Sequence, residues 1–302
     1  MLKQLGNETR HHAVIAGLTR NLRSENGVPL RSGDGGSLSA MTVKGLRLVL
    51  LGFSLFLFAF TSCQTELKLA KTFIEEKANT QVAVYFPESA DVKVEYNTRL
   101  GQQTEVLNGF NQDLFLDVMY NAYAEALGDY GLEVYVPEDP EQVQVDSTHW
   151  MVVLSRVEVS GRVTEYEDYL FSDTDEYSYK HPLNTVNVAS WFEVNDGEWK
   201  PVLFCEHNLM DGFDSKTDYS FWENKIDYKY SIDTLELKDV YNYAVYLGKL
   251  YAGYTYDYMM NSYVGAELKK RNYNYQLLLR YDPYKQKLRY MEDEDRFVEL
   301  VE

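Results

Sequence analysis

The pattern of apolar and polar positions after residue 80 first predicts a strand, a helix and a second strand. Val82 to Phe86 is a short apolar run rich in β-branched residues and closed by proline, which is typical of a strand. From Phe110 to Leu127 apolar residues recur at helical spacing, with Asn111 placed to cap the helix. Leu132 to Val136 alternates as a strand again. A helical crossover of this length favours parallel pairing of the two strands.

The middle of the chain predicts a long strand and a hairpin. Trp150 to Val159 is almost continuously apolar and indicates a central strand. The apolar runs Val186 to Val194 and Trp199 to Cys205 flank Asn195-Asp196-Gly197. Asp-Gly accepts positive φ at little cost, so we predict a β-hairpin at Asn195–Gly197.

The last third predicts a long helix. Apolar and small residues follow one side from Leu237 to about Leu268, and Asp233 or Thr234 is expected to cap the helix. Three small residues four apart should let another element approach the backbone closely: Ala244, Gly248 and Ala252.

These elements predict an α+β fold, in which a mixed sheet begins with strand–helix–strand and a long C-terminal-half helix packs on it. We expect a single domain over residues 81–302. Two aromatic and acidic segments show no clear period. Glu165 to Glu176 reads as a loop or a sheet edge, and Asp211 to Tyr230 reads as a loop.

The segment from Met41 to Cys63 has the layout of an export signal. Lys44 and Arg47 precede an uncharged apolar run from Leu48 to Phe60, which is too short to span a bilayer comfortably. Thr61, Ser62 and Cys63 follow, and this resembles the lipobox of bacterial lipoproteins. The resemblance implies that residues 41–62 are a signal peptide and that Cys63 carries lipid. An uncleaved N-terminal anchor is the alternative.

The position of the lipobox also predicts the nature of the segments before and after the signal peptide. Residues 1–40 precede the signal, and we expect them to be an untranslated or disordered leader, with Met41 as the true start. Residues 63–80 should form a lipid-attached linker with a short helix. Gln64 after the cysteine favours the outer membrane, since Asp there directs inner-membrane retention in enteric bacteria. We expect the domain to face the periplasm.

Charge excludes some partners. The whole chain has a formal net charge of −18, and the part from Cys63 onward holds 22 basic and 44 acidic residues, a net charge of about −22. Such a surface repels phosphate backbones and anionic head groups. We therefore expect no nucleic-acid partner, and contact with the membrane only through lipid on Cys63.

Three segments resemble a known group of proteins: SWFEV at Ser190 to Val194, DGFD at Asp211 to Asp214, and YKYSIDTLELKDVY at Tyr228 to Tyr241. With the lipobox at Cys63, they resemble a family of uncharacterised Gram-negative lipoproteins. The resemblance covers most of the chain after Cys63. It supports the lipoprotein assignment and implies no activity.

A search for catalytic chemistry finds no hydrolase elbow, nucleotide loop or zinc motif in the sequence. His149, His181 and His207 lie far apart in sequence, and each is expected to be structural. Cys205 sits in an apolar run and should be buried and inert. We predict no enzymatic activity and no cofactor.

Asp211, Asp214 and Asp218 form a loose acidic set. An EF-hand loop needs oxygen ligands two residues apart and a glycine at the sixth position, and the spacing here is three and four. These residues are therefore only weak metal candidates, and a solvated acidic loop is the other reading.

The aromatic segments offer the strongest binding candidates. Tyr and Trp can anchor a protein partner or stack on sugar rings, or they can fold back over the sheet. The candidate contact residues are Tyr166, Tyr169, Tyr177, Trp222 and Tyr228. We predict a non-enzymatic binding or assembly component of the envelope, whose partner is another envelope protein or a glycan. The alternatives are a glycan or peptidoglycan hydrolase using Asp/Glu, and a carbohydrate-binding module.

Overall fold

The fold is built on a seven-stranded mixed sheet covered by helices, which confirms the predicted α+β class. The structure, a computed structural model, describes residues 65–76, 80–137, 143–146, 148–171, 176–195, 197, 202–220, 225–273, 278–291 and 297–300. All of them belong to one compact unit, Phe58–Glu302. The predicted leader at 1–40, the signal peptide at 41–62 and Cys63 lie outside the described residues and stay predictions.

The helices are α1 (residues 65–76), α2 (Gln112–Asp129) and α3 (Leu237–Lys269). The strands before α3 are β1 (Gln81–Tyr85), β2 (Asp91–Val94), β3 (Tyr96–Asn97), β4 (Gln102–Gln103), β5 (Glu133–Tyr135), β6 (His149–Phe171), β7 (Glu176–Asn195), β8 (Val202–Met210), β9 (Gly212–Ser220) and β10 (Lys225–Asp233). After α3 come β11 (Leu279–Asp282), β12 (Lys287–Tyr290) and β13 (Val298–Leu300).

The main sheet has the order β13-β8-β7-β6-β1-β5, and β2 also pairs with β6. β1 is parallel to both β5 and β6, so the predicted strand–helix–strand start is confirmed. The strands from β6 to β8 and β13 are antiparallel. β7 and β8 pair as the predicted hairpin arms, and Gly197 between them has a φ of +93°.

The two segments without a clear period are strands. Residues 165–171 continue β6, and the segment from Asp211 to Tyr230 forms most of the antiparallel β9–β10 hairpin. The sheet-edge alternative holds for residues 165–171, which pair with β7, while the loop prediction for Asp211 to Tyr230 was wrong because its strands alternate aromatic and charged residues. A two-stranded hairpin buries one face and leaves the other in water, so no apolar run forms.

α2 and α3 pack against each other and against the sheet. Asn111 caps α2 as predicted, since its side chain accepts a hydrogen bond from the Leu114 N–H at 3.0 Å. The predicted cap of α3 was wrong: Glu236 and Asp239 form a capping box there. Gly248 on α3 faces the backbone of α2, and an added Cβ would collide with the Met119 carbonyl oxygen. The predicted close approach is confirmed.

Side chains of α3 hold the β11–β12 hairpin. The Asn261 amide donates to the Leu279 carbonyl oxygen at 2.7 Å and accepts from the Leu279 N–H at 2.8 Å. One turn earlier, the buried Asp257 accepts from the Tyr281 N–H at 2.9 Å. These two residues lie on one face of α3. Their side chains form the hydrogen bonds with the β11 main chain that a neighbouring strand would otherwise form.

Helix α1 packs on the same core. Ala70 and Phe73 are buried, and the Phe73 ring contacts Tyr256 and Tyr263 on α3. Within the described part of the chain, no helix is both long enough and apolar enough to cross a membrane.

Candidate functional site

Two hairpins lie against each other at one end of the sheet. The first is the outer part of β6 and β7, residues 164–171 and 176–184, which pair only with each other in the main sheet. The second is β9–β10, a separate two-stranded sheet. We call the pair of hairpins the arm. Tyr179 and Tyr228 join them by stacking, with ring centroids 4.2 Å apart and planes 10° apart.

Strand register explains why aromatic rings meet inside the arm. Tyr166 pairs with His181, and Asp168 pairs with Tyr179, so these four side chains share one face of the first hairpin. Their inner neighbours come from the second hairpin. The six-ring aromatic cluster consists of Tyr166, Tyr179, His181, Phe213, Tyr228 and Tyr230.

Tyr228 is the polar centre of the aromatic cluster. Its hydroxyl donates to Asp168 Oδ2 at 3.0 Å and lies 2.9 Å from His181 Nε2. Since the hydroxyl proton goes to Asp168, Nε2–H of His181 is the donor in the second bond. Burial and the hydrogen bond to Asp168 raise the pKa of Tyr228 to about 12. The cluster is therefore fixed in geometry by polar bonds as well as by packing.

The rim of the cluster is open to solvent. Tyr230 is 55% exposed, Tyr179 40% and Tyr166 37%, whereas His181 between them is buried at 5%. Each exposed tyrosine packs one side against the cluster and presents the rest of its ring and hydroxyl. Such half-exposed, pre-positioned tyrosines offer apolar area and hydrogen bonds with little entropy to lose on binding.

The base of the arm is held by Asp211, a buried residue between β8 and β9. One carboxylate oxygen accepts from the Asn184 main-chain N–H at 2.7 Å and from its side-chain amide at 2.9 Å. The other accepts from the Leu235 N–H at 2.8 Å, just before α3. Gly212 follows directly, so the chain leaves the main sheet at this corner. The arm is thereby attached to both the sheet and α3.

The outer faces of the arm carry charges. On the first hairpin Glu165 accepts from Lys180 at 2.8 Å and lies 3.4 Å from Arg99. On the second hairpin Lys229 pairs with Asp227 at 2.9 Å. These exposed pairs contribute little to stability. They make these parts of the outer faces polar, whereas the rim of the aromatic cluster presents exposed tyrosine rings.

The structure places the predicted contact residues differently. Tyr166 and Tyr228 belong to the aromatic cluster, and Tyr169 lies half exposed on the outer face of the first hairpin. Tyr177 is a residue of β7, opposite Leu170, and Trp222 lies outside the described residues. Sequence reasoning missed Phe213 and assigned His181 no binding role. Tyr166 and Asp168, like Tyr179 and His181, lie two positions apart, and this period of two was the signal in the sequence that could have identified their shared face.

The weak metal candidates are not gathered into a site. Both Asp211 oxygens accept hydrogen bonds from N–H groups, while Asp214 and Asp218 lie on β9 opposite Ser231 and Asp227. Among the described residues, no group of three or more His, Cys, Asp or Glu side chains could hold a metal ion.

Cys205 is buried, as predicted, and packs beneath α3. Burial raises the pKa of its thiol to about 12, so the reactive thiolate is scarce at neutral pH. His207, two residues on, stacks near Tyr254 with ring centroids 6.2 Å apart, and burial lowers the pKa of its ring. Both side chains therefore pack against tyrosines of α3.

Apart from the arm, a concave surface lies at the end of β1, beside the first turns of α2. It is a groove of about 390 Å³, lined by Phe86, Pro87, Glu88, Asp113, Leu116, Asp117 and Tyr120. Its three carboxylates are exposed. A glycosidase needs one carboxyl group in an apolar, enclosed setting so that it stays protonated. An open groove with solvated acids lacks that setting.

Comparisons with known proteins add one distant structural similarity. No protein-family model matches the chain, and no curated protein sequence matches it. Among solved structures, it is similar to a protein described as a neuraminyllactose-binding hemagglutinin homolog from Helicobacter pylori. That similarity has 10% sequence identity and a TM-score of 0.33, over 63% of this chain and 90% of that chain. A likeness this distant carries no functional argument.

Proposed function

We propose that the protein is a lipid-anchored, non-enzymatic binding or assembly component of the bacterial envelope, which contacts another envelope protein through the arm. The outer membrane, on its periplasmic face, is the proposed location. The observation that carries the proposal is the open rim of Tyr166, Tyr179 and Tyr230 around a fixed aromatic cluster. Tyrosines that are rigid and half exposed are typical anchors of protein interfaces.

The arm suits a protein partner better than a sugar. Sugar stacking needs an open ring face, and Tyr179 and Tyr228 cover one face of each other. Tyr230 lies 4.3 Å from the buried His181 ring, which occupies one of its sides. The parts that stay open include ring edges and hydroxyl groups, at different heights along the strands. Such a surface fits side chains of a protein more readily than the flat face of a pyranose.

The partner contact is tested by photo-crosslinking in the native bacterium. The phenylalanine analogue that carries benzophenone replaces Tyr230 in the arm. The control carries it at Tyr284, which is 72% exposed and lies on the β11–β12 turn. We expect one defined protein adduct from position 230 and none of the same mass from position 284. Equal adducts from both positions, or none from position 230, would contradict the proposed role of the arm.

Lipid attachment is tested separately. The chain is expressed in cells fed radiolabelled palmitate, with and without globomycin, which blocks the lipoprotein signal peptidase. We expect label in the mature protein, and a larger, labelled precursor when globomycin is present. Absence of label in both samples would contradict the anchor without bearing on the arm.

A further inference from the structure

Helix α1 leaves little free chain between the proposed lipid site and the folded domain. Its first described residue, Thr65, follows Cys63 by two positions. The helix is already docked at Ala70 and Phe73, which are buried at 0% and 2% exposure. Two extended residues span at most about 7 Å. A lipid on Cys63 would therefore hold the domain close to the membrane, not on a long tether.

Helix α3 joins the base of the arm to the place where α1 docks. The Leu235 N–H, just before α3, donates to Asp211 at the arm base. Farther along, the hydroxyl groups of Tyr251 and Ser190 are 3.0 Å apart. Beyond that point, Tyr256 contacts Phe73 of α1. At ~1.5 Å per residue, Tyr256 lies about 30 Å from the start of α3.

Strand β7 shows that the arm extends from the Asp211 corner in the direction opposite to α3. From the outer end of the arm at Glu176, β7 runs to Asn184 at the Asp211 corner and then to Ser190 beside Tyr251. The order along β7 is therefore arm, corner, then the part of the sheet under α3. At ~3.3 Å per residue, Glu176 lies about 25 Å beyond the corner, on the side away from α1.

We propose that the arm and the membrane anchor lie at opposite ends of the domain, so that the lipidated protein presents the arm away from the bilayer. Thr65 lies within about 12 Å of Phe73 along α1 and Cys63 at most about 7 Å farther, which leaves the outer end of the arm roughly 35 Å from the anchor. This inference rests on lipid attachment at Cys63, the proposed function. The net charge of about −22 after Cys63 acts in the same direction, because anionic head groups repel the domain.

The arrangement defines which partner the arm can reach. Its rim tyrosines would meet a protein in the aqueous space above the bilayer, or one that projects far into that space. The head groups of the anchoring membrane and the buried parts of its integral proteins are out of reach. The partner is thus a soluble or projecting envelope protein.

The proposal is tested with the intact lipidated protein in vesicles of phosphatidylethanolamine and phosphatidylglycerol that contain a quencher-labelled lipid. One variant carries a fluorophore on the arm through Lys229→Cys, and the matched variant carries it on α1 through Lys71→Cys. Both lysines are exposed, and the buried Cys205 stays unlabelled. We expect quenching of the Lys71→Cys fluorophore and unchanged emission from the Lys229→Cys fluorophore. Equal quenching at both positions would overturn the opposed arrangement.

Vesicle flotation separates the two ways in which the idea can fail. If the intact protein stays in solution as a variant lacking residues 1–63 does, the anchor is absent and both proposals are overturned. If it floats and the arm fluorophore is quenched, the anchor stands and the opposed arrangement is wrong. Asp218→Cys on the arm and Glu75→Cys on α1 give the same comparison if a first variant fails to fold.

Discussion

The Asp211 carboxylate binds Asn184 twice, through the main-chain N–H at 2.7 Å and the side-chain amide at 2.9 Å. The Asp211 N–H returns a bond to the Asn184 carbonyl oxygen at 2.9 Å. With its bond to Leu235, this one side chain connects β7, the β8–β9 corner and the start of α3. The direction of the arm relative to the sheet depends on this connection.

We predict that Asp211→Ala destabilises the protein strongly. It removes the acceptor of three partly buried N–H bonds, each formed with a charged group, and the expected loss is about 3 kcal/mol. Asp218→Ala is the matched control, since Asp218 lies exposed on β9. Urea unfolding of the two variants gives the free energies. A loss at position 218 equal to that at position 211 would contradict the role of the corner.

Gly248→Ala should also destabilise the protein, although alanine favours helices. The new Cβ would meet the Met119 carbonyl oxygen, which belongs to the backbone of α2 and cannot move alone. We expect a net loss of about 2–3 kcal/mol, because overpacking outweighs the gain in helix propensity. Gly128→Ala on α2 meets no atom within 4 Å and should stabilise by up to about 1 kcal/mol. Thermal unfolding of both variants is the measurement.

The hydroxyl of Tyr228 provides a test of the aromatic cluster. Tyr228→Phe keeps the ring but leaves Asp168 and His181 without their shared partner, and we expect a loss of about 1–2 kcal/mol. The pKa of Tyr228 is raised from 10.0 to about 12, so the folded state favours the protonated form. That stabilisation is complete below pH 10 and is lost as the pH rises through 12.

The measurement compares unfolding of the wild type and the variant at neutral and alkaline pH. The difference between them should shrink as the pH rises, because deprotonation removes the hydrogen that Asp168 accepts. A difference that stays constant with pH would show that the hydroxyl contributes nothing beyond the ring.

Local patterns predict the fold class because its elements are long or strongly periodic. The stripe of α2, its Asn111 cap and the turn at Gly197 are all local signals. The long helix α3 also follows from its stripe, although its cap depended on the side-chain geometry of Glu236 and Asp239. A capping residue with a long side chain is hard to select from sequence when Asp and Thr stand nearby.

The arm was harder to predict because its packing joins distant residues. Tyr166 and Phe213 are 47 positions apart, and nothing near either residue shows that their rings lie 4.8 Å apart. Charged residues on the outer faces also hid the period-2 pattern. The sequence predicted a solvated acidic loop around Asp211, yet this residue is buried and both of its carboxylate oxygens accept hydrogen bonds. Its role depends on hydrogen bonds from Asn184 and Leu235, which are distant in sequence and meet Asp211 only in the folded corner.

Cys205 gives a simple probe of global unfolding. In a variant that begins at Gln64, it is the only thiol of the chain. Burial raises its pKa from 9.0 to about 12, so Ellman's reagent at pH 8 should react only after unfolding. The corresponding stabilisation is full below pH 9 and lost as the pH rises through 12. Fast labelling under native conditions would contradict the buried position.

Cys63 is the residue on which the proposed location depends, so its substitution is the decisive test. In Cys63→Ser the nucleophile that would accept lipid is gone, and we expect no palmitate label and no lipoprotein-type cleavage. Cys205→Ser is the matched control, since it removes the other cysteine of the chain and leaves the lipobox intact. That variant should keep its label and its membrane association. Lipid label that persists in Cys63→Ser would show that another residue carries the anchor, and the opposed placement of arm and membrane would then have to be derived again from that residue.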